Sequence, residues 1–191
     1  LHATSAILAA LLHRERTGKS QRIDISLWDC AISALVNQAQ NKLASGKEPR
    51  PMGSAHPNLV PYRAFEASDG WFVLAVGSDA QWQHMVEILE IDCQESWSTN
   101  SGRVKDRIEV EKTLFKIFKN DTRSHWENVL EGVPCAPVNT IGQAMCDIQS
   151  VARGAVWSVE GVQTLANPLR GMSLTPAKPG QPTKTSFDVN T

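Results

Sequence analysis

Apolar residues crowd the first stretch of the chain, where Leu1, Ile7, Leu8, Leu11 and Leu12 mix with Ala3, Ala6, Ala9 and Ala10 at helical spacing. The pattern predicts a helix over residues 1–17, stopped by Gly18, with Arg14, Arg16 and Lys19 complementing the negative end of its dipole. Its small alanines permit close approach to a neighbouring backbone. No capping residue precedes the helix, so the chain is expected to start inside a longer one, with the helix's packing partner on the N-terminal side. Polar and apolar positions then alternate over 22–27, as in a half-buried strand. A second helix is expected over 28–45, with Ile32, Leu35, Val36 and Ala39 on one face and Gly46 as its stop.

The pattern breaks at Pro49, where residues 49–61 hold four prolines and one glycine, and this loop is the expected domain boundary. Beyond it, residues 62–67 and 71–76 read as two strands around Ser68-Asp69-Gly70, a turn in which the glycine takes positive φ. Helical spacing returns over 80–89 with Asp79 as N-cap, over 110–118, and over 123–130 with Asp121 or Thr122 as cap. A short extended segment at 135–138, a helix over 141–149 capped by Thr140 and a strand at 155–159 follow. Pro176, Pro179, Gly180 and Pro182 mark an extended C-terminal tail, so both ends are expected to be cut. This order of elements predicts an α/β or α+β fold and not a helical bundle.

Composition narrows the function classes. The 191 residues are 41% hydrophobic and 20% charged, which is globular, and 19 Lys+Arg against 20 Asp+Glu leave no basic excess for nucleic acid or an anionic membrane. The longest nearly apolar run, residues 6–12, falls well short of the about 18 residues that a membrane-spanning helix needs. Arg14, Arg16 and Lys19 follow that run instead of preceding it, which opposes a signal peptide. Cys30, Cys93, Cys135 and Cys146 stand apart with no paired spacing, so no metal site is expected, and reduced thiols in a cytoplasmic setting suit them. Cys30 on an apolar helix reads as buried and inert.

The run Leu11-Leu12-His13-Arg14-Glu15-Arg16-Thr17-Gly18-Lys19-Ser20-Gln21-Arg22-Ile23-Asp24-Ile25-Ser26-Leu27-Trp28-Asp29 resembles the signature of the class III CoA-transferases, the CaiB/BaiF type. The resemblance continues, in order, through Gly53-Ser54-Ala55-His56-Pro57-Asn58-Leu59-Val60-Pro61, through Ser68-Asp69-Gly70-Trp71, through Val133-Pro134-Cys135-Ala136-Pro137-Val138-Asn139 and through Val151-Ala152-Arg153-Gly154. The Gly-Ser-Ala-His form of the loop is similar to the dicarboxylate, succinyl-CoA-dependent branch. The resemblance implies a CoA-binding, Rossmann-like large domain split in sequence, a small α+β domain, and an interlocked homodimer in the intact parent. On that plan residues 1–27 end the first half of the large domain, 28–52 form a linker helix and loop, 53–150 the small domain, and 151–191 a return segment.

The implied reaction moves CoA between an acyl-CoA and a small carboxylic acid through an aspartyl-CoA thioester, without metal or tightly held cofactor, CoA itself being substrate and product. The nucleophilic aspartate is expected upstream of Leu1, so the chain alone is expected to be inactive. Asp24 and Asp29 read as solvated or capping carboxylates. Asp79 reads as an N-cap, although the racemase branch uses an acidic residue after this hairpin. Gly53, Ser54, Ala55 and His56 match the substrate loop that closes over the thioester. His56 then either contacts an acceptor carboxylate or oxyanion, or holds the proline-rich loop through backbone bonds. An α-methylacyl-CoA racemase on the same scaffold and a non-catalytic packing module remain the alternatives. The family setting implies a cytoplasmic protein, or a mitochondrial or peroxisomal one in a eukaryote.

Overall fold

The computed structural model describes residues 1–159 and 161–169. The tail expected at Pro176 to Pro182 lies outside the described residues. Helix α1 (His2–Thr17) ends where expected, with Gly18 at φ 70° and its N–H donated to the Arg14 carbonyl. Residues 22–27 are not a strand. A strand needs a neighbour for its ladder, and none of the described strands lies beside this segment; instead Ser26 Oγ accepts the Asp29 N–H and caps the next helix.

The helix expected over 28–45 is two helices, α2 (Leu27–Ser33) and α3 (Val36–Ser45), divided at Ala34 and Leu35, and Val36, the first residue of α3, adopts φ 41°. That conformation is rare for a β-branched residue and redirects the chain. Cys30 on α2 is half-buried, more accessible than its apolar surroundings suggest. Helices α1 to α3 contribute no buried residue, and Leu27, Trp28, Leu35, Val36 and Leu43 are exposed.

The core begins past the loop. Strands β1 (Tyr62–Ala67) and β2 (Gly70–Ala75) form the expected antiparallel hairpin, with Phe65 opposite Phe72, and Gly70 takes φ 144°. Strand β3 (Cys135–Pro137) pairs antiparallel with β2, giving the order β1-β2-β3. Period-two alternation puts Phe65 and Ala67 of β1, with Phe72 and Leu74 of β2, on one buried face. Against it packs α6 (Arg107–Phe118), whose Val110, Leu114 and Phe118 are fully buried. Phe118 meets Phe65, Phe72 and Trp126 edge-on at 5.2, 5.0 and 5.3 Å between ring centres, the arrangement that aromatic quadrupoles favour.

Helix α4 (Asp79–Leu89) buries Trp82 and Met85. Its N-cap is Ser78, not Asp79: Ser78 Oγ accepts the Gln81 N–H at 3.2 Å, which leaves the Asp79 carboxylate for another partner. A 3-10 turn (Glu95–Ser98) and α5 (Asn100–Lys105) follow, neither carrying enough apolar periodicity to be expected from sequence. Helix α7 (Arg123–Val129) is capped by Thr122.

The helix expected over 141–149 divides into α8 (Ile141–Cys146), opened by a Thr140–Gln143 capping box, and α9 (Ile148–Ala152). Asp147 divides it: its backbone leaves helical geometry at ψ 144° and its Oδ1 caps Gln149 N. Strand β4 (Val156–Val159) stands where a strand was expected and pairs with an additional one, β5 (Val162–Leu165).

Candidate functional site

Residues 46–61 connect α3 to β1, and the site residues expected from sequence lie on this loop. Gly53 turns the chain at φ 60°, and no atom lies within 4 Å of the place a β-carbon would take, so this corner of the loop is open. The exposed Ser54 hydroxyl accepts the Ala64 N–H at 3.1 Å, tethering the loop to β1. Ala55 closes a turn on the Met52 carbonyl.

His56 is half-buried and engaged on every side. Its N–H donates to the Tyr62 carbonyl at 2.8 Å, and its ring stacks on the Tyr62 ring with centres 5.1 Å apart. Nδ1 accepts the Asn58 N–H at 3.1 Å, and Nε2 lies 2.9 Å from Asn37 Nδ2 on α3.

Three further side chains grip the loop. Asn41, one turn beyond Asn37, exchanges two amide hydrogen bonds with Asn58 at 2.9 and 3.1 Å. Asn100 at the start of α5 donates to the Asn58 carbonyl at 2.8 Å and accepts the Val60 N–H at 3.2 Å. Arg107 Nη2 donates to the His56 and Pro57 carbonyls, both at 3.0 Å.

Arg103, 1% exposed, is the deepest clamp: Nε donates to the Val60 carbonyl at 2.7 Å, Nη1 to the Trp97 carbonyl at 2.8 Å, and Nη2 to Asp79 Oδ1 at 2.8 Å. Its guanidinium also stacks over Trp82 at 5.0 Å, a contact that a desolvated cation strengthens. Buried Glu111 pairs with both Arg107, which faces the loop, and Arg63 of β1, so one carboxylate neutralises the two cations in part. Residues 56–60 are therefore held from three directions, while Gly53 and Ser54 stand at the open end.

The residues expected at the site, Gly53, Ser54, Ala55 and His56, lie on this loop, and Asp79, expected as an N-cap, instead pairs with Arg103. Asn37, Asn41, Asn100, Arg103 and Arg107 were missed. One signal was present, since Asn37 and Asn41 are spaced one turn apart and so share a face of α3.

Titration is perturbed elsewhere. Asp69 is held below the ordinary carboxylate range, chiefly because the Arg123 N–H donates to it, and the Cys135 thiol is pushed up by burial and by the nearby Glu127 charge. Among the described residues no group of three or more His, Cys, Asp or Glu side chains is placed to hold a metal, and no helix is long and apolar enough to cross a membrane.

Comparison with known proteins bears on this loop and its frame. The family model described as CoA-transferase family III matches residues 1–186. The succinate–glutarate CoA-transferase of Agrobacterium fabrum is 38% identical over 161 residues, covering 81% of this chain and 40% of that protein. The succinyl-CoA:glutarate CoA-transferase of Mus musculus is 34% identical, covering 82% of this chain and 37% of that protein. Among solved structures, a CAIB/BAIF family protein from Brucella suis superposes with a TM-score of 0.68 at 41% identity, over 88% of this chain and 46% of the other. Rv3272 of M. tuberculosis, at 21% identity and a TM-score of 0.73, shares the fold. The chain thus spans about two fifths of the curated relatives it matches. A match that runs through nearly the whole chain, on a fold the solved relatives share, places it in CoA-transferase family III.

Proposed function

We propose that this chain is part of an enzyme that transfers CoA between an acyl-CoA and a small dicarboxylic acid, with succinyl-CoA and glutarate as the leading pair. The observation that carries the reading is the 38% identity to a succinate–glutarate CoA-transferase across 161 residues that include the 53–60 loop. In this reading an aspartate upstream of Leu1 attacks the thioester carbonyl to form a mixed anhydride and release CoA thiolate, which then attacks the aspartyl carbonyl and expels the donor acid as its carboxylate, leaving an aspartyl-CoA thioester. The acceptor carboxylate repeats the two steps in reverse. Donors aimed at the tetrahedral oxygen lower both barriers, and His56 with the loop backbone is placed here as the part of that set this chain supplies, or as the contact for the acceptor's second carboxylate.

The division into residues 1–27, 28–52, 53–150 and 151–191 belongs to the same proposal, as does an interlocked homodimer. The apolar residues that α1 to α3 leave exposed, among them Leu8, Leu27, Trp28 and Leu43, support an additional packing surface. CoA and its thioesters are substrates and products in this scheme, and no bound cofactor has a step.

The test has two arms. The 191-residue chain, given succinyl-CoA and glutarate, is expected to form no glutaryl-CoA above background, and turnover would refute the upstream nucleophile. The same segment replacing its counterpart in the Agrobacterium fabrum enzyme is expected to support transfer to glutarate. A chimera that folds by circular dichroism yet transfers CoA only to monocarboxylic acids would overturn the dicarboxylate assignment.

A further inference from the structure

The hydrogen bonds around His56 determine where its proton sits. Nδ1 accepts the Asn58 backbone N–H, so Nδ1 carries no hydrogen and the neutral imidazole keeps its proton on Nε2. As the carboxamide is placed, Asn37 Nδ2 lies 2.9 Å from Nε2. Two N–H groups do not share such a contact, whereas an amide oxygen accepts there, and the two ends of a carboxamide are told apart by the network they join.

We propose that Asn37 is a positioning residue that presents Oδ1 to His56 and holds its Nε2–H, the tautomer being set by the Asn58 backbone, until the acceptor's carboxylate takes the amide's place. The inference rests on the reading of His56 as the acceptor contact.

Several features are built around this pair. Val36 spends a left-handed conformation, costly for a β-branched side chain, on the residue immediately before Asn37, and the bend turns α3 toward the loop. One turn on, Asn41 fixes the side chain of Asn58, the residue whose N–H sets the tautomer, and Asn100 fixes its carbonyl. Asn41 sits in the interior of α3, a position that its side chain disfavours, so the helix carries it against its own propensity. The ring's remaining freedom is removed by Tyr62, stacked at 5.1 Å. His56 is thereby a donor at one atom only, and Nδ1 has no part in proton transfer while the loop keeps this shape. The exchange is a swap of hydrogen-bond acceptors: the amide oxygen leaves Nε2–H and a carboxylate oxygen takes it, the charge-assisted bond being the shorter and stronger of the two.

The test uses the 191-residue chain labelled with nitrogen-15, with His56→Gln to identify the ring signal. Long-range nitrogen–proton correlation is expected to show the Nε2-protonated form. Its proton should be protected from water in the wild type and in Asn37→Asp, and exchange roughly tenfold faster in Asn37→Leu. A proton on Nδ1, or exchange unaffected by Asn37→Leu, overturns the proposal. Glutarate is then expected to shift the Nε2–H signal saturably, and Asn37→Asp to weaken that binding about tenfold, because it sets one carboxylate against another. If tautomer and protection are as expected but glutarate leaves the signal unmoved, the acceptor reading of His56 fails while the Asn37 pairing stands.

Discussion

Arg103 is the residue whose removal should most damage the frame of the substrate loop. Its side chain is 1% exposed and satisfies the carbonyls of Val60 and Trp97, two residues that are themselves buried. Arg103→Met keeps the length of the stem and leaves both carbonyls without a donor, each loss costing about 1–3 kcal/mol, and it removes the stacking on Trp82, worth about 1 kcal/mol. A total of about 4 kcal/mol is expected, a large share of the roughly 5–15 kcal/mol that holds a domain together. Arg103→Lys, a point charge without the planar fork, should lose about half as much. The third contact is different in kind, since the Asp79 side chain is 54% exposed and an asparagine keeps an acceptor for the buried guanidinium, so Asp79→Asn should cost about 1–2 kcal/mol, less than Arg103→Met. Urea unfolding followed by far-ultraviolet circular dichroism reads these differences. With a slope of about 2 kcal/mol per molar urea, Arg103→Met should lower the midpoint by about 2 M at unchanged slope. A shift below about 0.5 M, or an Asp79→Asn loss as large as that of Arg103→Met, would show that the carbonyl clamp is not what holds residues 56–60 in place.

Two further outcomes follow from packing and exposure. A β-carbon on Gly102 would lie 1.7 Å from the Ser96 carbonyl oxygen, a backbone atom that cannot swing away, so Gly102→Ala should lower thermal stability by several degrees, and an unchanged melting temperature would contradict that contact. The four free thiols should differ in reactivity: at pH 8 iodoacetamide should modify exposed Cys146 well before Cys135, whose half-buried thiol is held protonated by burial and by Glu127. Peptide mass mapping over time would refute this ordering if Cys135 reacted first. The raised Cys135 pKa also has a sign for stability. The folded state favours the thiol, so its contribution is fully present below the unfolded pKa and is lost as pH rises through the folded one.

The sequence by itself determined the elements whose cause is local. Helix α1 and its glycine stop, the hairpin of β1 and β2 around Gly70, the capped starts of α7 and α8, and the loop carrying Gly53 to His56 were all legible, because period, cap and turn chemistry are properties of a few adjacent residues. The family was legible for a related reason, since its motifs run in order along the chain. Tertiary structure decided whatever depends on a distant partner. Residues 22–27 have strand alternation but no neighbouring strand to complete a ladder, so their pattern alone could not make them one. The helix over 28–45 broke at Val36, which puts Asn37 against the loop, and with Ser78 capping α4 the Asp79 carboxylate pairs with Arg103. Asn37 and His56 are 19 residues apart, and Val60 and Arg103 are 43 apart, separations at which no periodicity carries information. Only closure of the chain brings those donors and acceptors together. The physical reason is that a buried carbonyl or an imidazole proton must find a partner somewhere, and the fold, not the neighbouring sequence, decides which one it meets.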